Sequence, residues 1–239
     1  MGMPITVEII GNDVREHFAA VFDYFKQVDA RYSTYKKDSE ISKINAGLPK
    51  SKWSAEMRKV IKLCEQTREE TKGFFNINHN GQIDPSGLVK GWAIENAANI
   101  LRKKKVKNFY IEAGGDIQAS GTDKSGKPWK VGIRNPFNSQ EIIKTLAISP
   151  EGVATSGTYV RGQHIYNPFN SKSTPNRVKS LTVIGPNIYE ADRFATAAFA
   201  MGEYGISFIE SIPNLEGYMV TDDKIATYTS GFERYVVSA

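Results

Sequence analysis

Four short stretches of the chain carry residue types that can do chemistry. In YEADRFATAA, Asp192 and Thr196 stand four apart, so a helix would put both on one face. A carboxylate beside a hydroxyl oxygen suits a hard cation such as Mg²⁺. An acidic first turn, with a threonine bonding its own backbone, accounts for the same letters. In DPSGLVKGWA (84–93), a serine, Gly87 and Lys90 open a helical pattern, where free backbone N–H groups favour a phosphate and the lysine adds a point charge. It is not a Walker sequence, and a capped helix start packed by Trp92 fits it equally well. In EAGGDIQASG (112–121), Gly114, Gly115 and Asp116 follow a strand-like run, and paired glycines let a backbone approach a flat ligand closely. A turn or bulge with an aspartate cap is the plainer reading. VATSGTYVRGQHIYNP (153–168) sets Thr155, Ser156 and Gly157 before a lone His164. This is either a catalytic or phosphate-handling constellation or a hairpin with a polar turn.

The elements that must position these residues follow from patterning. With 239 residues, 40% of them hydrophobic, the chain can bury a sizeable core without disulfide or metal staples. The one cysteine, Cys64, falls in the stripe Met57, Val60, Ile61, Cys64 and reads as core. ITVEII (5–10) reads as a strand. The segment after it reads as an amphipathic helix, capped by Asp13 with Glu16 at capping-box spacing, whose apolar face is Val14, Phe18, Val21, Phe22, Phe25 and Val28. Further helices are predicted from Ser54 to about Thr71, from Ser86 through Leu101, and over EADRFATAAFAMG. NFYIEA, WKVGIR, IKTLAI, GVATS and SLTVIG are strand-like runs between turns, and EGYMVTDDKIATYTS closes as a hairpin. No repeat or linker divides the chain, so one unit over 1–239 is expected.

The formal charge of +5 raises nucleic acid as a partner. The dense basic run RKKKVKN (102–108) follows a helical pattern, however, where lysines suit a solvated helix C-terminus. With no aromatic-interleaved RNA motif and no zinc-finger spacing, no nucleic-acid partner is expected. A mild positive field suits a dianionic nucleotide instead. No secretory leader and no membrane-spanning run is visible, so the chain reads as cytoplasmic, or as exported or membrane-associated if a leader has been removed.

Taken in order, MGMPITVEI, STYKKDSEISKIN, GFFNIN, DPSGLVKGWAIENAANIL, IEAGGDIQASG, PWKVGIRNP, VATSGTYVRG, HIYNP and SLTVIGPNIYEADRFATAAFAMG resemble the ApbE family of FAD:protein FMN transferases over nearly the whole chain. The resemblance implies a Mg²⁺-dependent enzyme that cleaves FAD and attaches FMN through a phosphoester to a threonine of an acceptor protein, releasing AMP. It implies Asp192, Thr196 and a backbone carbonyl near Gly87 as metal ligands. Lys90 and the helix start would hold the phosphates, while Tyr35 and the turn of Gly114, Gly115 and Asp116 would flank the nucleotide. Thr155 and Ser156, with Gly157 beside them, would face the flavin, and His164 would take the acceptor's proton. Asn167 and Asn76 stand where the family has aspartates. An FAD pyrophosphatase yielding FMN and AMP, or a non-catalytic FAD-binding protein, are the alternatives. The expected fold is α+β: helices packed on a twisted, mostly antiparallel sheet in a single interlocked unit, with FAD in the cleft between its lobes.

Overall fold

Strand β1 (Ile5–Ile10) turns Ile5, Val7 and Ile9 toward the helices, as its alternating sequence requires. The computed structural model describes residues 2–12, 14–79, 81–157, 167–169 and 177–237. Helix α1 (Arg15–Tyr32) buries Val21, Phe25, Val28 and Tyr32. Phe22, expected on that face, is half-exposed because it sits about 100° round the helix from Val21. The cap residue of α1 is Val14, which makes no side-chain cap bond, and the expected cap Asp13 lies outside the described residues. Short α2 (Glu40–Asn45) is capped by Ser39, and α3 (Ala55–Glu70) by Ser54, whose hydroxyl accepts from Met57 N–H at 3.1 Å. Cys64 is buried on the inner face of α3. The minimal hairpin β2 (Asn78–His79) and β3 (Gln82–Ile83) then leads into α4 (Ser86–Lys103), and exposed Lys103, Lys104 and Lys105 mark the end of α4.

The remaining strands are β4 (Asn108–Ala113), β5 (Asp116–Ser120), β6 (Trp129–Asn135), β7 (Asn138–Ile148), β8 (Gly152–Gly157), β9 (Val178–Gly185), β10 (Glu216–Thr221) and β11 (Ala226–Tyr228). Helices α5 (Ile188–Ala200) and α6 (Tyr204–Glu210) lie between β9 and β10. A seven-stranded sheet runs β1-β4-β5-β8-β9-β10-β11, every neighbouring pair antiparallel. One face carries the helices over Phe109, Ile111, Leu181 and Val183. The other is covered by the β6–β7 ribbon, where Trp129, Val131, Ile133, Leu146 and Ile148 meet Ile117, Val153, Tyr218 and Val220. Covering both faces explains why β10, and β9 from Ser180 onward, are buried at every position rather than alternately. The architecture is α+β, as expected.

Helices α4 and α5 cross on the helical face, and glycine sets how closely. A Cβ on Gly91 would stand 2.5 Å from Asp192 Cβ and 2.7 Å from the Ile188 carbonyl oxygen. The start of α5 is likewise pressed against β8, where a Cβ on Gly152 would meet Ile188 N at 2.1 Å.

Candidate functional site

A cavity opens where the start of α4, the middle of α5, the β4–β5 turn and the end of β8 converge. Its lining includes Ser86, Gly87 and Lys90 of α4, Asp192 and Thr196 of α5, Gly114 and Gly115 of the turn, and Thr155, Ser156 and Gly157 of β8. Ten of the residues singled out from sequence patterning are thus assembled from segments up to about a hundred positions apart, and helix packing brings them together. Phe74, Phe75, Asn76, Ile77 and His79 form a further wall, with Asp84, Pro168 and, from the ribbon, Gly132 and Arg134. Sequence reasoning missed most of this wall. Residues 74–79 have no periodic pattern, while Arg134 has the regular outward place on an alternating strand that a solvated side chain would have.

Thr196 Oγ1 donates to the Gly87 carbonyl at 3.3 Å, so the hydroxyl and carbonyl expected to share a cation are already neighbours. Asp192 is buried next to them, and its Oδ2 accepts the Gly91 N–H at 2.7 Å. Burial pushes the Asp192 carboxyl well above the usual carboxylate range; the Lys90 ammonium and the Gly91 N–H oppose that rise, and the neighbouring Asp116 adds to it. Lys90 Nζ lies 2.6 Å from Asp116 Oδ2 and 3.6 Å from Asp192 Oδ1. Two carboxyl groups share one ammonium in this buried cluster, so a further positive charge is needed for both to ionise. A hard divalent cation would supply that charge, and the Asp192 carboxyl with the Thr196 hydroxyl and Gly87 carbonyl oxygens is a donor set that fits one.

The β4–β5 connection is a two-residue turn, Gly114 at φ 61° and Gly115 at φ 94°, a left-handed pair that glycine adopts without strain. A Cβ on Gly115 would meet nothing within 4 Å, so the backbone there faces open space. Asp116, one residue on, points inward instead. It is fully buried, accepts Thr155 N–H at Oδ1 (3.2 Å) and pairs with Lys90, so it stands behind the cavity wall. The Thr155 hydroxyl is 2.9 Å from that of Thr182.

The α4 start is less open than its sequence suggests. Ser86 N–H donates to Asp84 Oδ1 (2.9 Å), Leu88 and Val89 donate to the Pro85 carbonyl, and Gly91 donates to Asp192. The cationic handle at this helix end is therefore Lys90 rather than a row of free N–H groups. Tyr35 is not brought to the cavity: it is 93% exposed and is not among the lining residues. His164 lies outside the described residues.

Comparison with known proteins gives one consistent result. The model of the ApbE family matches residues 1–81 and 78–219. A FAD:protein FMN transferase of Vibrio cholerae is 34% identical over 161 residues, 62% of this chain and 48% of that protein. One of Haemophilus influenzae is 24% identical over 86% of this chain and 79% of its own length. The chain thus spans about half of the first relative and most of the second. The solved structure of the flavin transferase ApbE from Vibrio cholerae superposes with a TM-score of 0.85 at 22% identity, covering 98% of this chain and 96% of that one. The ApbE protein of Thermotoga maritima gives the same score over 99% and 96%. Among the described residues no helix is long and apolar enough to cross a membrane.

Proposed function

Because this chain belongs to the ApbE family, we propose that it is a Mg²⁺-dependent FAD:protein FMN transferase. It cleaves the FAD pyrophosphate, releases AMP, and leaves FMN joined through a phosphoester to a threonine of an acceptor protein. The observation that carries this reading is the convergence of the Gly87 carbonyl, the Thr196 hydroxyl and the Asp192 carboxylate in one cavity beside Lys90.

Asp192 Oδ1, Thr196 Oγ1 and the Gly87 carbonyl would hold the cation, an all-oxygen set of the kind Mg²⁺ prefers. When bound, the ion supplies neutralising charge for the pyrophosphate as its P–O bond breaks. Lys90 offers its ammonium to the same phosphates from the cavity floor. The Gly114–Gly115 turn would let the nucleotide lie against backbone, and Thr155 and Ser156 would present polar groups from the end of β8. His164 is proposed as the base for the acceptor hydroxyl on its sequence position alone, because an imidazole titrates near neutrality. The acceptor threonine oxygen forms the new bond to the FMN phosphorus, its proton passes to the base, and AMP departs with the oxygen of the broken bond.

Incubation with FAD, with and without Mg²⁺, tests the reading, with AMP followed by chromatography and protein-bound flavin by fluorescence on a threonine-bearing acceptor. Mg²⁺-dependent AMP with flavin on the acceptor is expected. AMP and free FMN without labelled acceptor would instead establish a pyrophosphatase, and FAD binding without AMP a carrier.

A further inference from the structure

The buried group of Lys90, Asp116 and Asp192 is unevenly spaced. The ammonium is in full contact with Asp116 Oδ2 at 2.6 Å but a full ångström farther from Asp192 Oδ1, at 3.6 Å. Both carboxylates are nearly shielded from water, with side-chain exposures of 1% and 3%, so solvent does not account for the preference. Each carboxylate is tied elsewhere through its second oxygen. Asp116 Oδ1 takes the Thr155 N–H, which fixes it between β5 and β8; Asp192 Oδ2 takes the Gly91 N–H, which fixes it between α5 and α4. Asp192 Oδ1 is the oxygen left facing the lysine, and it belongs to a residue that lines the cavity.

We infer that Asp116 is a positioning residue that draws the Lys90 ammonium off Asp192, keeping Asp192 Oδ1 available to a divalent cation. The inference rests on the cation site of the proposed function. Lysine and cation are rivals for one oxygen, since both are positive and a low-dielectric site holds them apart strongly. Without the charge of Asp116, Asp192 is a buried carboxyl still within reach of the ammonium among the described residues. Closing that pair takes a movement of about 1 Å, well within the freedom of a lysine stem, to reach the usual charge-assisted distance. The cation would then have to displace a contact ion pair.

Binding of Mn²⁺ without FAD, read from the electron paramagnetic resonance signal of the free ion, tests this in the whole protein, with thermal melts alongside. Asp116→Asn keeps the volume and an oxygen for Thr155 N–H, and should weaken Mn²⁺ binding by about tenfold or more. Lys90→Met should tighten it. The double variant should bind like Lys90→Met, because with the rival gone Asp116 has nothing to draw away. Unchanged affinity in Asp116→Asn would overturn the inference. So would an equal loss in the Lys90→Met background, which would make Asp116 merely a distant negative charge. If Asp116→Asn does not fold, Lys90→Met decides alone, and unchanged or weaker binding there refutes the rivalry. Wild-type binding that Asp192→Asn leaves intact, or none at all, would remove the cation site itself and this inference with it.

Discussion

Replacing Gly91 with alanine tests the contact on which the site's geometry depends. The added Cβ would stand 2.5 Å from Asp192 Cβ, 2.7 Å from the Ile188 carbonyl oxygen and 2.9 Å from Asp192 Oδ2, all on α5. Non-bonded carbons settle at about 3.5–4.0 Å, so the two helices must part by about 1 Å at their crossing. Overpacking of this kind costs about 1–3 kcal/mol. Separation also stretches the buried bond from Gly91 N–H to the Asp192 carboxylate, and such bonds are worth about 1.5–3 kcal/mol. Alanine returns about 1 kcal/mol of helix propensity. The net is a loss of roughly 1.5–5 kcal/mol, which for a chain of this size lowers the melting temperature by about 3 °C or more. Misplacing Asp192 by 1 Å should also slow AMP release by about a hundredfold. Circular dichroism melts and AMP chromatography on one preparation read both effects. Gly87→Ala is the graded comparison, since its Cβ would meet the Thr196 methyl at a tolerable 3.2 Å and should cost less stability. A Gly91→Ala protein that melts within a degree or two of the wild type would refute this close crossing of α4 and α5.

Asp192→Asn keeps an oxygen for the Gly91 N–H and removes a carboxyl whose ionisation burial opposes, so it should fold at least as well as the wild type while losing Mg²⁺-dependent AMP release by about a hundredfold or more; undiminished turnover takes Asp192 out of the site. His164→Ala should slow FMN transfer by about a hundredfold while leaving FAD affinity nearly unchanged; loss of FAD binding in step with activity would recast the histidine as a ligand-positioning residue. Burial pushes the Cys64 thiol up to about 12, so it should resist alkylation at pH 8 in the native state. The same shift has a sign in stability: the folded thiol keeps its proton while the unfolded one releases it above about pH 9. The stability gap between wild type and Cys64→Ala should therefore narrow by about 1.4 kcal/mol per pH unit from there toward pH 12. A gap that does not change with pH in denaturant titrations would place Cys64 at a wetter site.

The elements were legible wherever one periodicity ran long enough. The cap and stripe of α3 can be read from Ser54, Met57, Val60 and Cys64, and β1 from its six alternating residues. Short pieces escaped. In α2 two buried isoleucines, Ile41 and Ile44, are too few to establish a helical period, and β5 starts at Asp116, directly after the Gly114–Gly115 turn, where the letters read as part of that turn. The two-sided covering of the sheet left no single-residue signal beyond short apolar stretches in β9 and β10, broken by residues such as Thr182 and Glu216, which a buried helix segment can imitate.

In the site, residue type was legible and partnership was not. Gly87 and Lys90 can be named from local letters because they open a helical pattern, and Asp192 and Thr196 because they stand four apart on one. That Lys90 faces Asp116 depends on β5 pairing with β8 while α4 crosses α5, contacts between segments dozens of residues apart. The glycine turn before Asp116 points toward a ligand, yet strand alternation sends the aspartate inward, since residues one apart on a strand face opposite sides. One trace of the crossing does stand in the sequence. Gly91 lies inside α4, where glycine costs about 1 kcal/mol relative to alanine, one position after Lys90, which lines the cavity. A helix bears such a cost where a Cβ would obstruct something, and what it would obstruct here is Asp192, the aspartate that lines the cavity.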